Sequence, residues 1–181
     1  MIFIAEVKTH SPFGYRSQKT WEELFDVANR VGDMISIHTD PLWDGSFELL
    51  EKARKITNKP ILAKGIHGSD DEIARALDCG ADFVLVVGRF PKKFQEKCII
   101  EPYTLDELTA VPSNMKALWN SRDLKTGGIK QESYDQAKSC FAGWLCQASN
   151  IKSLRDINNK ADAILVGTHL EEFSKDWTCR K

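Results

Sequence analysis

Eight short apolar runs punctuate the chain, each followed by a polar or amphipathic stretch. They are "IFIAEVK" (2–8), "MISIHT" (34–39), "PILAKG" (60–65), "FVLVVG" (83–88), "KCIIEP" (97–102), "KALWNS" (116–121), "GWLCQA" (143–148) and "AILVGT" (163–168). They are rich in Val, Ile and Leu and only a few residues long, which suits buried strands better than helices. Helix signals lie between them. Thr20 precedes "WEELFDVANRVG", which has an N-cap, a Glu at the third helical position and Gly32 as a stop. Ser46 opens "FELLEKARKI", with Phe47, Leu50 and Ala53 at helical spacing. Ser69 opens "DDEIARALDCG", with acids in its first turn and Gly80 after its last. "TLDELTA", "QESYDQAKSC" and "SNIKSLRDINNK" continue the series.

Strand alternates with helix from end to end, without a Pro- or Gly-rich linker. That order predicts an α/β protein: a parallel sheet with covering helices, in one domain over residues 1–181. Eight strands close a (β/α)₈ TIM barrel. Such barrels usually run to about 250 residues, with a lower end near ~200, so a 181-residue barrel must be reduced. The fourth helix is largely missing, because only "RFPKKFQEK" separates strands four and five, and the fifth, "TLDELTA", is short. An open doubly wound sheet is the other arrangement of this alternation, but neither GxGxxG nor GxxxxGK[ST] occurs to support it.

Charge and cysteine content narrow the partners. A net charge of −1 from 25 basic and 26 acidic residues gives no surface for nucleic acid or an anionic membrane. A local phosphate site needs no basic surface, since backbone N–H groups hold phosphates. Five cysteines without a CxxC pair point to neither a disulfide framework nor a zinc site; most are expected reduced and buried. The start "MIFIAEVK" meets Glu6 and Lys8 too soon for a signal peptide or membrane span, so a cytoplasmic protein is expected. Apolar surface left by missing helices would be open to a second subunit, so a homo-oligomer is an open expectation.

In a parallel barrel all strand C-termini share one face, where active sites are built. Strand one ends in Glu6 and Lys8, strand three in Lys64 and strand five in Glu101. Strand six ends in Asn120 and Arg122, strand seven in Gln147, and strand eight in Gly167 and Thr168. Each has a local explanation: a solvated lysine, a surface ion pair, a turn-forming Asn, an N-capping Thr. Those explanations must hold at several strand ends together, and convergence on one mouth accounts for all of them. Two lysines, two glutamates, an amide and an arginine there support acid–base work on a small polar substrate. A lysine near another cation in a desolvated mouth has a depressed pKa, and a glutamate against apolar walls a raised one. A lysine Schiff base is the rival chemistry. Ser149, Gly167 and Thr168 precede helical segments whose amides could hold a phosphate, with Ser11 within reach of the same region.

These strings resemble the indole-3-glycerol phosphate synthase family. "IAEVKTHSPFG" is similar to its first strand, "ISIHTDPLWDGSFELL" to its second strand and loop, and "PILAKG" to its third strand with a catalytic lysine. "CIIEPYTLDEL", "LWNSRDLKT" and "AILVGTHL" resemble strands five, six and eight. The resemblance implies a carboxy-lyase that converts carboxyphenylamino-deoxyribulose phosphate to indoleglycerol phosphate without metal or organic cofactor. It implies Lys64 as general acid, Glu101 as general base and Lys8 as carboxylate binder or second acid. Glu6 and Asn120 would orient the reacting groups, Trp43 would pack on the anthranilate ring, and Ser11, Gly167 and Thr168 would hold the phosphate. Arg122, Gln147 and Ser149 fall among the substrate-binding positions.

The chain also departs from the family pattern. The sequence opens on strand one, so the family's N-terminal helical extension is expected to be absent. Gly65 and Ile66 follow Lys64 where an acid and an aromatic are usual. Gln147-Ala148-Ser149 stands in place of Glu-Ser-Gly. These departures carry the alternative, a catalytically impaired relative that binds a phosphorylated metabolite or a partner protein. Phosphoribosylanthranilate isomerase, a related barrel, is a further rival; its Cys and Asp pair is not found at matching strand ends.

Overall fold

The helix boundaries follow from local chemistry. In the computed structural model, which describes residues 1–179, α1 (Trp21–Val31) opens with a capping box between Thr20 and Glu23. α2 (Phe47–Ile56) is capped by Ser46, and α3 (Asp70–Asp78) by a Ser69–Glu72 box. Each cap satisfies backbone N–H groups that the first helical turn leaves bare. Gly80 turns left-handed after α3, at φ +101°. Gly32 serves differently: its φ is −74°, and a Cβ there would lie 2.8 Å from the Ala5 Cβ and the Met34 carbonyl. It is glycine because the backbone segments carrying Ala5 and Met34 pass too close for a side chain.

The eight strands are β1 (Ile2–Val7), β2 (Met34–His38), β3 (Ile61–Lys64), β4 (Phe83–Val87), β5 (Cys98–Glu101), β6 (Lys116–Asn120), β7 (Trp144–Ala148) and β8 (Ala163–Val166). They pair in parallel in chain order, and β8 closes on β1. The barrel is therefore closed, and no open doubly wound sheet forms. A two-stranded ribbon, His10–Ser11 against Tyr15–Arg16, stands in the loop after β1.

Side chains alternate across this sheet. One set, including Phe3, Ala5, Ile35, Ile61, Val84 and Leu145, packs with the helices as the larger core. The other, including Ile4, Met34, Leu62, Leu85, Ile99, Leu118, Cys146 and Leu165, fills the barrel.

The helical layer is thinner than eight. Between β4 and β5 only one 3₁₀ turn, Gln95–Lys97, remains, and α4 (Leu105–Thr109) is five residues long. α5 (Tyr134–Cys140) and α6 (Leu170–Thr178) complete the set. The helix expected in "SNIKSLRDINNK" does not form, and Leu154–Asp156 make one 3₁₀ turn. The Gln147 side chain explains the interruption. Its Nε2 donates to the Asp156 carbonyl at 2.8 Å, and its Oε1 accepts from the Asn158 N–H at 2.8 Å. Those are backbone groups that a continuing helix would itself pair.

The cysteines correct another expectation. All five are free thiols, but only Cys98 and Cys146 are buried, while Cys140 and Cys179 are exposed. Among the described residues, no helix is long and apolar enough to cross a membrane.

Candidate active site

The last inward positions of the strands carry the polar residues. Glu6, His38, Lys64, Glu101 and Asn120 occupy them on β1, β2, β3, β5 and β6, above the apolar filling. A cavity of about 460 Å³, including its open mouth, is lined by Lys8, Ser11, Trp43, Lys64, Glu101, Asn120, Arg122 and Ser149. Phe13, Ile66, Leu85, Val87 and Leu124 supply its apolar walls. A second lobe shares Lys8, Lys64, Arg122 and Ser149 with the first and reaches Glu6, Asn150, Gly167, Thr168 and His169.

Two carboxylates lie in this mouth with opposite electrostatics. Glu6 is 3% exposed. Burial alone would raise its pKa, but Lys64, Lys8 and a hydrogen bond from His38 hold it well below the usual carboxylate range. Its Oε1 accepts from Lys64 Nζ at 2.6 Å and from His38 Nε2 at 2.7 Å. Glu101 is equally buried, and there desolvation prevails: its pKa is pushed up despite Lys64, a bond from Asn120 and the nearby Lys130. Asn120 Nδ2 donates to Glu101 Oε1 at 2.7 Å, and its Oδ1 accepts from the Arg122 N–H at 3.0 Å. One environment thus keeps a carboxylate ionised, and the other raises its proton affinity, the arrangement that separates acid and base roles.

The lysines divide in the same way, and not as the sequence implied for Lys64. Burial works against the Lys64 ammonium, yet Glu6 and Glu101 outweigh it and raise the pKa. The lysine with a depressed pKa is Lys8, lowered by burial and by Lys64 and Arg122, with Glu6 opposing. Lys8 Nζ donates to Thr168 Oγ1 at 3.3 Å, bridging β1 to the end of β8.

Gly167 has a steric role here. A Cβ on it would fall 1.7 Å from Glu6 Oε2, so the carboxylate occupies the space a side chain would take. α6 begins directly after, with His169 at its N-cap position and no side-chain cap bond. The short helix expected after Thr168 is this nine-residue helix, and Thr168 is not its cap. Ser149 and Asn150 both have positive φ, +66° and +55°, at the rim beside it.

One expected site residue, Gln147, stands outside the mouth, and another, Ser11, lines it away from the expected phosphate lobe. Gln147 lines neither lobe, because the register of β7 puts Cys146 and Ala148 inside the barrel and turns Gln147 outward. The inward position at that strand end is Ala148, so the mouth has no carboxylate from β7. Ser11 lines the first lobe and not the second, and its Oγ accepts from the Phe13 N–H at 3.3 Å. His38 was missed, although its place at the end of strand two carried the same signal as Lys64. His67, also buried, ties its loop to β4 and to the loop after β2: Nδ1 donates to the Leu85 carbonyl at 2.6 Å, and Nε2 accepts from the Thr39 hydroxyl at 3.0 Å. Among the described residues, no group of three or more His, Cys, Asp or Glu side chains is placed to hold a metal.

The barrel with ionisable groups gathered at its strand C-termini defines the class: a (β/α)₈ protein with an acid–base mouth. Solved structures agree on the fold. A 3-hexulose-6-phosphate synthase superposes with TM-score 0.68 at 14% identity, covering 99% of both chains. KGPDC from Streptococcus mutans superposes with TM-score 0.64 at 14% identity, covering 99% of this chain and 97% of that one. The sequence matches the family described as Indole-3-glycerol phosphate synthase over residues 1–177. The chain belongs to that family, one of carboxy-lyases in tryptophan biosynthesis. The indole-3-glycerol phosphate synthase of Aquifex aeolicus is 29% identical over 92% of this chain and 75% of its own length. That of Pyrococcus furiosus is 30% identical over 92% and 84%. That of Thermococcus kodakarensis is 38% identical, over 50% of this chain and 41% of the relative.

Proposed function

We propose that the protein catalyses the indole-3-glycerol phosphate synthase reaction: ring closure, decarboxylation and dehydration of carboxyphenylamino-deoxyribulose phosphate. The observation that carries this is the opposed pair of carboxylates around Lys64. Lys64 is an ammonium at neutral pH, held by Glu6 and facing the cavity that Glu101 also lines. It donates its proton to the carbonyl oxygen as the ring carbon attacks. Glu101, with its raised proton affinity, takes the proton lost in dehydration, and Asn120 fixes the carboxylate by donating to its Oε1. Lys8 holds the substrate carboxylate, and its depressed pKa suits it to a second proton donation. Trp43 and the apolar walls receive the anthranilate ring. The second lobe takes the phosphate, with Lys8, Arg122, Ser149, Thr168 and the amides at the start of α6 around it. The reaction as written draws on no metal or organic cofactor.

Fluorescence of the indole product, with the purified chain, tests this reading. Turnover is expected, with Lys64→Ala and Glu101→Gln each losing roughly 10²–10⁴-fold, the span of general acid–base catalysis. Turnover no higher than that of Lys64→Ala would overturn it. Ala148 favours a second reading, a relative that binds a phosphorylated metabolite without converting it. Substrate binding by calorimetry without turnover would select that one.

A further inference from the structure

We propose that His38 is a positioning residue of this site: it locks the Glu6 carboxylate in place and thereby aims the Lys64 ammonium, while tying that pair to the Trp43 wall. The proposal deepens the reading of the site given above and rests on it.

The ring is almost wholly enclosed, at 5% exposure, at the last inward position of β2. Its Nε2 lies 2.7 Å from Glu6 Oε1, the same oxygen that accepts from Lys64. Its plane is 8° from that of Trp43, with ring centroids 5.9 Å apart. Its Nδ1 is buried and has no hydrogen-bond partner among the described residues.

These contacts decide the tautomer. Glu6 is ionised and can only accept, so Nε2 carries the hydrogen. A second proton, on Nδ1, would bury a cation with an unpartnered N–H. The charged groups facing the ring are Glu6 from β1, Lys8 just after it and Lys64 from β3; Trp43, from the loop after β2, is neutral. Two of the three are cations, so a third would be repelled. His38 therefore stays a neutral donor. It holds Glu6 without cancelling its charge, and the full carboxylate remains for Lys64. With two donors on Oε1 and Oε2 set against Gly167, the carboxylate has one orientation. An apolar residue at 38 would free it to rotate, and a cationic one would compete with Lys64 for it.

Two measurements on the full chain test this. In ¹⁵N-histidine-labelled protein, two-bond ¹H–¹⁵N spectra should show His38 as the neutral Nε2–H form. It should stay so as the pH falls, for as long as the chain remains folded. An Nδ1–H form, or a second proton taken up by the ring while the chain remains folded, would overturn the proposal. In the fluorescence assay, His38→Leu should lower kcat by about tenfold to a hundredfold, the worth of a hydrogen bond to a buried charge. KM should change little, and His38→Gln, which restores an N–H donor, should recover most of the loss. Equal losses in both variants would mean that ring packing alone matters and would overturn the donor role. Should the wild-type chain show no turnover, the reading of the function fails, and the tautomer spectrum alone decides the role of His38.

Discussion

The lower and upper layers of the barrel interior are built on the same strands in the same inward register, yet they obey different rules. Below, Ile4, Met34, Leu62, Leu85, Ile99, Leu118 and Leu165 form a dry packed plug. Two residues further along the same strands, and four further on β2, stand Glu6, His38, Lys64, Glu101 and Asn120, all but Lys64 at most 5% exposed. Burying side chains like the lower ones stabilises by roughly 1.5–3 kcal/mol each. Burying the upper ones costs desolvation, offset only by close pairing such as Lys64–Glu6 at 2.6 Å. The lower layer holds the barrel shut, and the upper layer gives up part of that stability to keep ionisable groups at the cavity.

The contrast breaks most readily from below. Leu118 is fully buried in the plug, and Leu118→Ala should cost about 2–5 kcal/mol in urea unfolding. Turnover per folded molecule should stay near that of the wild type. A large drop in kcat with stability intact would mean that the layers are not separable.

Gly167→Ala probes the upper layer's tolerance. Its Cβ would sit 1.7 Å from Glu6 Oε2, and overpacking of this kind costs about 1–3 kcal/mol. Here kcat should fall along with stability, because the carboxylate that holds Lys64 must move. A variant neutral in both would show an upper layer as adaptable as any surface.

The smallest effect is one of pH, and it sharpens the comparison within the upper layer. Glu6 has a lowered folded pKa, so its contribution to stability is in force above the unfolded carboxylate pKa. That contribution is lost as the pH falls through the folded value. Glu101 has a raised folded pKa and works in the opposite sense. Its stability penalty grows as the pH rises from the unfolded value, about 4.3, and is complete above the folded one. Glu101→Gln removes that penalty. Its unfolding midpoint should exceed the wild type's at pH 7 and converge with it near pH 4. An unchanged gap between the two pH values would contradict the raised pKa. The rising acid limb of kcat/KM should likewise sit above the ordinary carboxylate range.

Much of this was legible in the chain. Thr20, Ser46 and Ser69 act within a few residues of themselves, so their caps form as their spacing predicts. The missing fourth helix was legible from length alone. The seventh was not, because what stops it is a side chain from a neighbouring strand: Gln147 captures the Asp156 carbonyl and the Asn158 N–H. The same residue shows the limit for the site. A strand end can be found by eye, but its inward phase is fixed by the pairing of β7 with β6 and β8. A slip of one residue exchanges the two faces, which is why Ala148 and not Gln147 faces the mouth.

The amino-acid sequence by itself determined the alternation of strand and helix, the closure at eight strands and the end of the barrel where the ionisable groups gather. These rest on local periodicity and on the rule that parallel strands share a polarity. Only the tertiary structure decided which glutamate stays charged and which lysine is weakened, and it alone brought His38 into the pair. Proton affinity depends on desolvation and on charges a few ångströms away, and those distances exist only once β1, β2, β3 and β5 have closed around one space.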